Sequence, residues 1–176
     1  MKEKLIIYQT FPRIFTNMNP DCVPGGTYEQ NGSGKLNQIT DKVIKSIGEL
    51  GCNCIWLTGV IEMATKTAFP DIPADNPNVV KGEAGSPYAI KDYYDIAPSL
   101  AEDLDRRMEE FEALVDRIHA CSLTILILLL QGAECKINTT EHNHAGKNDN
   151  NYFLCLIHAH HLRSPAGHLP HTAHHQ

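Results

Sequence analysis

An α/β fold with a parallel sheet is what this sequence predicts, on three observations. Apolar runs of strand length occupy residues 5–9, 52–57 and 123–130. Between successive runs lies a segment whose apolar residues recur at helical spacing. Polar capping residues and glycines punctuate those helical segments. The resulting order, β-α-β-α-β, is that of parallel strands joined through helices.

The first strand is read as buried and starting almost at the first residue, with Thr10, Phe11 and Pro12 ending it. Residues 16–35 are rich in Asn, Pro, Gly and Ser and are expected to be loop. Ile39, Val43, Ile44, Ile47 and Leu50 then mark one face of a helix, with Thr40 or Asp41 as N-cap and Gly51 at the C′ position. Residues 52–57 are almost continuously apolar, as expected of a strand buried on both faces, with Trp56 in the core. Residues 58–98 contain five prolines and far exceed the ~4–6 residues of an ordinary connection. Loops this long are usually functional or disordered. Leu104, Met108, Phe111, Leu114, Val115 and Ile118 define a second amphipathic helix, with Ser99 as a candidate cap and Glu102, Asp103 and Asp105 in its first turn. Arg106, Arg107, Glu109 and Glu110 are expected on its wet face. Glu62 and Asp71 are expected as solvated loop carboxylates.

Beyond Gln131 the periodic signals stop, and an irregular or disordered C-terminal tail is expected. Nine of the ten histidines follow position 140, and only Glu134, Glu141 and Asp149 of the twenty-one acidic residues follow Cys121. The domain division expected is therefore 1–130 and a His-rich 131–176. His158, His160 and His161, or His171, His174 and His175, offer imidazoles, but no Cys or carboxylate stands at convincing ligand spacing, so no metal site is expected. The six cysteines form no CxxC pair and are read as free buried thiols.

The net charge of -6, without a Lys/Arg cluster, argues against nucleic acid as a partner. No apolar run reaches the ~20 residues that span a bilayer. The N-terminus lacks a signal-peptide pattern, so a cytoplasmic location is expected.

Three segments taken together resemble one family. Ile7-Tyr8-Gln9-Thr10-Phe11-Pro12-Arg13-Ile14-Phe15 looks like a first-strand signature in which Tyr-Gln precedes a Phe-Pro-x-x-Phe loop. Asn53-Cys54-Ile55-Trp56-Leu57-Thr58-Gly59-Val60 looks like a second strand ending in an aromatic-Leu pair. Ser86-Pro87-Tyr88-Ala89-Ile90-Lys91-Asp92-Tyr93-Tyr94-Asp95-Ile96-Ala97-Pro98 is similar to a Gly-Tyr-x-x-x-Asp-x-Tyr-x-x-x-Pro stretch. In this order they resemble the N-terminal third of the catalytic barrel of the α-amylase superfamily, glycoside hydrolase family 13, over about residues 4 to 120.

The resemblance implies the N-terminal portion of a (β/α)8 TIM barrel, with its site at the C-terminal ends of the strands. It implies retaining hydrolysis of α-glucans such as starch or maltooligosaccharides, with Tyr88 stacking on the sugar. Asp92 and Tyr94 complete the substrate-binding set, chiefly by holding the loop through hydrogen bonds. His119 and Ala120 match the family's approach to the third strand. There Leu128 stands where the resemblance implies Asp, and Gly132 and Ala133 where it implies Asn and His, the Asn being a ligand of structural calcium. The catalytic Asp, Glu and Asp have no candidates in this chain, and no catalytic residue or cofactor is assigned. A truncated or frame-changed chain, inactive alone and prone to self-association through open sheet edges, is the expectation. The alternative is a small non-catalytic α/β module that binds carbohydrate or metal.

Overall fold

The computed structural model describes residues 4–130 and 152–157. In chain order the elements are β1 (Ile7–Thr10), α1 (Pro12–Phe15), α2 (Tyr28–Asn31), α3 (Asp41–Glu49), β2 (Cys54–Leu57), β3 (Ile61–Met63), β4 (Ile90–Ile96), α4 (Arg107–Ala120), β5 (Thr124–Leu130) and β6 (Tyr152–Ile157). The main sheet has the order β1-β2-β5-β6, and β3 and β4 form a separate two-stranded sheet.

Strand β2 pairs parallel to β1 on one side and to β5 on the other, with Gln9 opposite Trp56 and Trp56 opposite Leu126. Side chains alternate across the sheet. Ile55, Leu57, Ile125 and Ile127 therefore share the face that packs with Ile44, Ile47, Leu114 and Ile118 of the helices. Trp56 takes the opposite face and is only half-buried, not core as expected. Asn53 extends the ladder beyond its last backbone pair: its side-chain amide donates to Lys4 O at 2.9 Å and accepts from Ile6 N at 2.7 Å.

Strand β1 corrects the expectation of burial. Leu5, Ile6 and Ile7 are 41–44% exposed, because β1 is the edge of the sheet and has a partner on one side only among the described residues. The expected irregular tail is corrected at residues 152–157. There β6 pairs antiparallel with β5 from Ile125 opposite Ile157 to Leu130 opposite Tyr152. The physical reason is the apolar composition of 152–157, which suits it to a bare sheet edge. The rest of the tail, with its histidine clusters, lies outside the described residues.

The helices form largely as their periodicity demands. Helix α3 begins after Thr40, whose side chain makes no cap bond, and ends at Leu50 before Gly51 at φ 84°. Leu50 itself is 71% exposed, since it lies past the last helical turn that faces the sheet. Ser99 does not cap α4. It is buried in a 3-10 turn at Pro98–Leu100, and the chain makes another such turn at Leu104–Arg106, capped by Asp103, before α4 starts. Glu102, Asp103 and Asp105 therefore precede the helix instead of forming its first turn.

Charged side chains bind the connections to this frame. Glu110 is buried, not wet as expected. Its carboxylate accepts from Glu102 N at 3.1 and 3.0 Å and from Asp103 N at 2.8 Å, which satisfies amides leading into α4. Lys35 Nζ donates to Ser99 O and Ala101 O, each at 2.8 Å, and so joins the loop after β1 to the segment after β4. Burial pushes the Lys35 amine down, against the opposing pull of Glu110 and Glu102. Arg117 donates from α4 to Ile39 O and Leu36 O. Arg107 also leaves the expected wet face, gripping Asp95 of β4 through two bonds of 2.7 and 2.6 Å. Only Arg106 and Glu109, 65% and 63% exposed, form the solvated pair expected of that face.

Partial burial raises the Asp95 carboxyl, but hydrogen bonds from Arg107 and Ile96 N, with the Arg107 charge, outweigh it and hold the group below the ordinary aspartate value. A carboxylate depressed in the folded state stabilises the fold above its unfolded pKa of about 3.9, and that contribution disappears as pH falls through the folded value. Asp95→Asn is expected to lose about 1–2 kcal/mol at pH 7 in urea unfolding, with the difference from the parent shrinking below about pH 4. A constant difference across that window would contradict the ion pair. Thr10 Oγ1 is buried and has no hydrogen-bond partner among the described residues. Thr10→Val is accordingly expected to raise the urea midpoint, by about 1 kcal/mol in stability.

Candidate functional site

The C-terminal ends of β1 and β2 lie side by side, and the chain leaves both at the same rim. Thr58 N donates to Thr10 O at 2.9 Å, and Gln9 Nε2 donates to Thr58 Oγ1 at 2.9 Å. Just beyond, Gly59 adopts φ 69°, a left-handed conformation that glycine reaches without strain. A methyl group added there would fall 2.7 Å from Phe11 Cε2 and 2.8 Å from Pro87 Cβ. The loop after β1, the loop after β2 and the segment carrying Tyr88 thus meet at one close-packed point.

The long 58–98 segment, read from sequence as a loop, contains the β3–β4 hairpin. Its register shifts twice, with Glu62 opposite Asp92 and Met63 opposite Ile90. Proline density hid the strands: β3 has only three residues, and β4 mixes charged with aromatic side chains. Arg13, a residue not singled out from sequence, ties this hairpin to the rim. Its Nη1 donates to Ala84 O at 2.9 Å and Tyr28 Oη at 3.3 Å, while the guanidinium stacks 4.7 Å from the Phe11 ring centre. Tyr28 Oη donates to the same Ala84 carbonyl at 3.1 Å. The Pro-x-x-Phe part of the first motif carried the available signal, since it fixes Arg13 on α1 at the rim.

Tyr88 follows Pro87 at the rim and is 52% exposed, available to a ligand. Asp92 Oδ1 accepts from Tyr94 N at 2.8 Å, a bond local to β4. The Tyr94 ring is 77% exposed. The three residues therefore share the hairpin, with Tyr88 next in sequence to the Pro87 that meets Gly59 and the other two on the strand that follows.

Glu62 differs from the expectation of a solvated loop carboxylate. It is buried, with Lys91 Nζ at 3.2 Å, and Lys91 also stands 3.7 Å from Asp75. Asp75 Oδ2 accepts from Thr65 N, so this cluster ties the connection between β3 and β4 to the hairpin. Asp71 is exposed, at φ 61°. Among the described residues no three His, Cys, Asp or Glu side chains gather as a metal would require. The calcium-ligand position implied by the resemblance is Gly132, which has no side-chain donor and lies outside the described residues. Cys22, Cys52, Cys54 and Cys121 are free, but only Cys54 is buried; Cys22 is exposed, because it sits in the polar loop before α2. No helix among the described residues is long and apolar enough to cross a membrane.

Gly59→Ala tests the three-way contact at the rim. It is expected to destabilise the chain by about 2–3 kcal/mol, through left-handed strain together with displacement of Phe11 or Pro87, read from the urea midpoint. An unchanged midpoint would mean that the loops are not packed through this glycine.

No protein-family model matches the chain. The oligo-1,6-glucosidase of Heyndrickxia coagulans is 29% identical over 145 residues, which cover 81% of this chain and 19% of the glucosidase. Among solved structures, the noncanonic maltogenic α-amylase AmyB from Thermotoga neapolitana superposes with TM-score 0.45 at 23% identity, over 72% of this chain and 24% of that one. The α-amylase from Geobacillus thermoleovorans, complexed with acarbose, gives TM-score 0.46 at 21% identity, over 71% and 23%. The chain thus spans about a fifth of the length of the curated relative. With the three motifs on β1, β2 and β4 and this likeness to a glucosidase, the N-terminal portion of the chain is similar to part of a catalytic domain of the α-amylase superfamily, glycoside hydrolase family 13.

Proposed function

We propose that residues 1–130 are the opening of an α-amylase-type (β/α)8 barrel for α-glucans, continued from 131 to 176 by residues foreign to that barrel, and that this 176-residue chain does not hydrolyse glycosidic bonds by itself. The observation that carries the reading is the sheet. Strands β1, β2 and β5 run parallel, and the hairpin bearing Tyr88 leaves the C-terminal end of β2, where such barrels build their sites. The next strand, β6, runs antiparallel, whereas a barrel of this class continues parallel. The relative named an oligo-1,6-glucosidase supports a glucoside as the ligand class.

In this reading Tyr88 offers its exposed face to a pyranose ring, whose axial C–H groups pack well on an aromatic surface. Asp92 fixes the backbone of β4 through Tyr94 N. Binding is the limit of what these residues can do. Retaining hydrolysis needs two carboxyls about 5–5.5 Å apart across the anomeric carbon, one to attack and one to protonate the leaving oxygen. The first carboxylate in the chain after β2, Glu62, is buried against Lys91, and only three acids follow Cys121.

The second reading is a self-contained α/β module that binds carbohydrate without cleaving it. The pairing of β6 along six positions of β5 favours it, since that pairing covers an edge that a barrel fragment would leave open.

Purified chain incubated with starch is expected to release no reducing ends above a heat-killed control. Turnover would overturn the proposal. Translation of the other two frames of the coding DNA downstream of Cys121 separates the two readings. A frame change there would restore Asp-x-x-x-Asn-His followed by the three catalytic acids, and its absence from both frames would leave a truncated barrel or the module.

A further inference from the structure

Strand β1 ends the main sheet, with β2 on one side and no strand on the other among the described residues. Successive backbone groups along a strand point in opposite directions. The Asn53 side chain takes up Lys4 O and Ile6 N, while Ile6 O accepts from Cys54 N and Thr10 O from Thr58 N. Even-numbered residues thus face β2, which leaves the N–H and C=O groups of Leu5, Ile7 and Gln9 aimed at the open edge. Such a row is a template for another extended strand.

Edges that stay solitary are commonly blunted by a charge, a proline or a bulge. Leu5-Ile6-Ile7-Tyr8-Gln9-Thr10 contains no charged residue, proline or glycine, and its pairing with β2 runs without a register shift. Apolar groups are exposed on both of its faces. Alternation puts Leu5 and Ile7 on one face and Ile6 on the other, where Tyr8 meets the partly exposed Phe15 ring edge-on at 6.2 Å.

The stretch is also complementary to itself. Set antiparallel to a second copy about a two-fold axis at Ile7, it brings Leu5 opposite Gln9, Ile6 opposite Tyr8 and Lys4 opposite Thr10. No like charges meet in that register, whereas parallel pairing in equal register sets Lys4 against Lys4. The main sheet already carries one antiparallel pairing, between β5 and β6. We propose that the open edge of β1 is a homodimer interface, in which Leu5 to Thr10 pairs antiparallel with the same segment of a second copy and joins two four-stranded sheets into one. The ladder stops at Thr10 because Pro12 turns the chain into α1. This surface makes no use of Tyr88 and does not rest on the proposed function.

Sedimentation velocity of the full chain over a concentration series tests the interface. A dimer fraction that rises with concentration is expected. Ile7→Lys and Ile7→Glu, at an exposed position, should each weaken dimerisation at least about tenfold by opposing like charges across the axis. An equal mixture of the two should restore it, since opposite charges then meet. Circular dichroism checks that each variant folds; Leu5→Lys, ahead of the first residue of β1, serves if Ile7→Lys does not, with the same weakening expected. Met18→Lys, 87% exposed and off the ladder, should dimerise as the parent does. A parent that is monomeric at every concentration would overturn the interface, as would parent-like dimerisation of the charged single variants. Dimerisation lost in Met18→Lys but kept in Ile7→Lys would place association elsewhere and overturn it too. Failure of the mixture to recover would overturn the register with Ile7 opposite Ile7.

Discussion

Everything in this chain depends on β2 being paired on both sides in the same direction. Parallel neighbours cannot be joined by tight turns, so each pairing requires a long crossover. The segment containing α3 provides the first, between β1 and β2, and the segment ending in α4 provides the second, between β2 and β5. Because both helices return the chain to the same end of the sheet, the exits of β1 and β2 fall at one rim. Ile55 and Ile125, fully buried on the helix-facing side, bear the packing of that arrangement. The loops can vary only as far as this row of side chains permits.

The hairpin is held differently. Among the described residues its strands make no ladder with the main sheet, and individual polar bonds hold it in place. Arg13 reaches it from α1, Arg107 grips Asp95 from α4, and Lys35 ties the segment that follows it to the loop after β1. These groups come from three different parts of the chain, and each bonds a partner more than ten residues away. Gly59, Phe11 and Pro87 supply the close contact at the centre. A segment anchored by such bonds keeps its position while Asp92 and Tyr94 of β4 stay exposed.

The parts legible in the sequence were those with a period or a motif. Helix α3 announces itself by its apolar spacing and Gly51, α4 by Leu114, Val115 and Ile118, and β2 by its unbroken apolar run. The motif around Tyr88 singled it out, and the residue is exposed. What escaped was set by distant partners. Glu110 looks solvated in a run of charges, and only the fold brings the amides of Glu102 and Asp103 to it. Glu62 reads as a loop acid until Lys91 is placed opposite. The residues ahead of and within β1 suggest burial, but burial needs a neighbour, and an edge strand has one side without it. The hairpin was masked by prolines, and β6 by a flank with no turn signals.

The reversed strand β6 alters the polarity of the rim itself. In an all-parallel sheet the rim collects departures only, since every strand there ends. Here Leu130 ends β5 opposite Tyr152, which begins β6, so one strand enters where its neighbour leaves. The rim where β1 and β2 end therefore also holds the start of a strand, which sets one backbone direction against the others there.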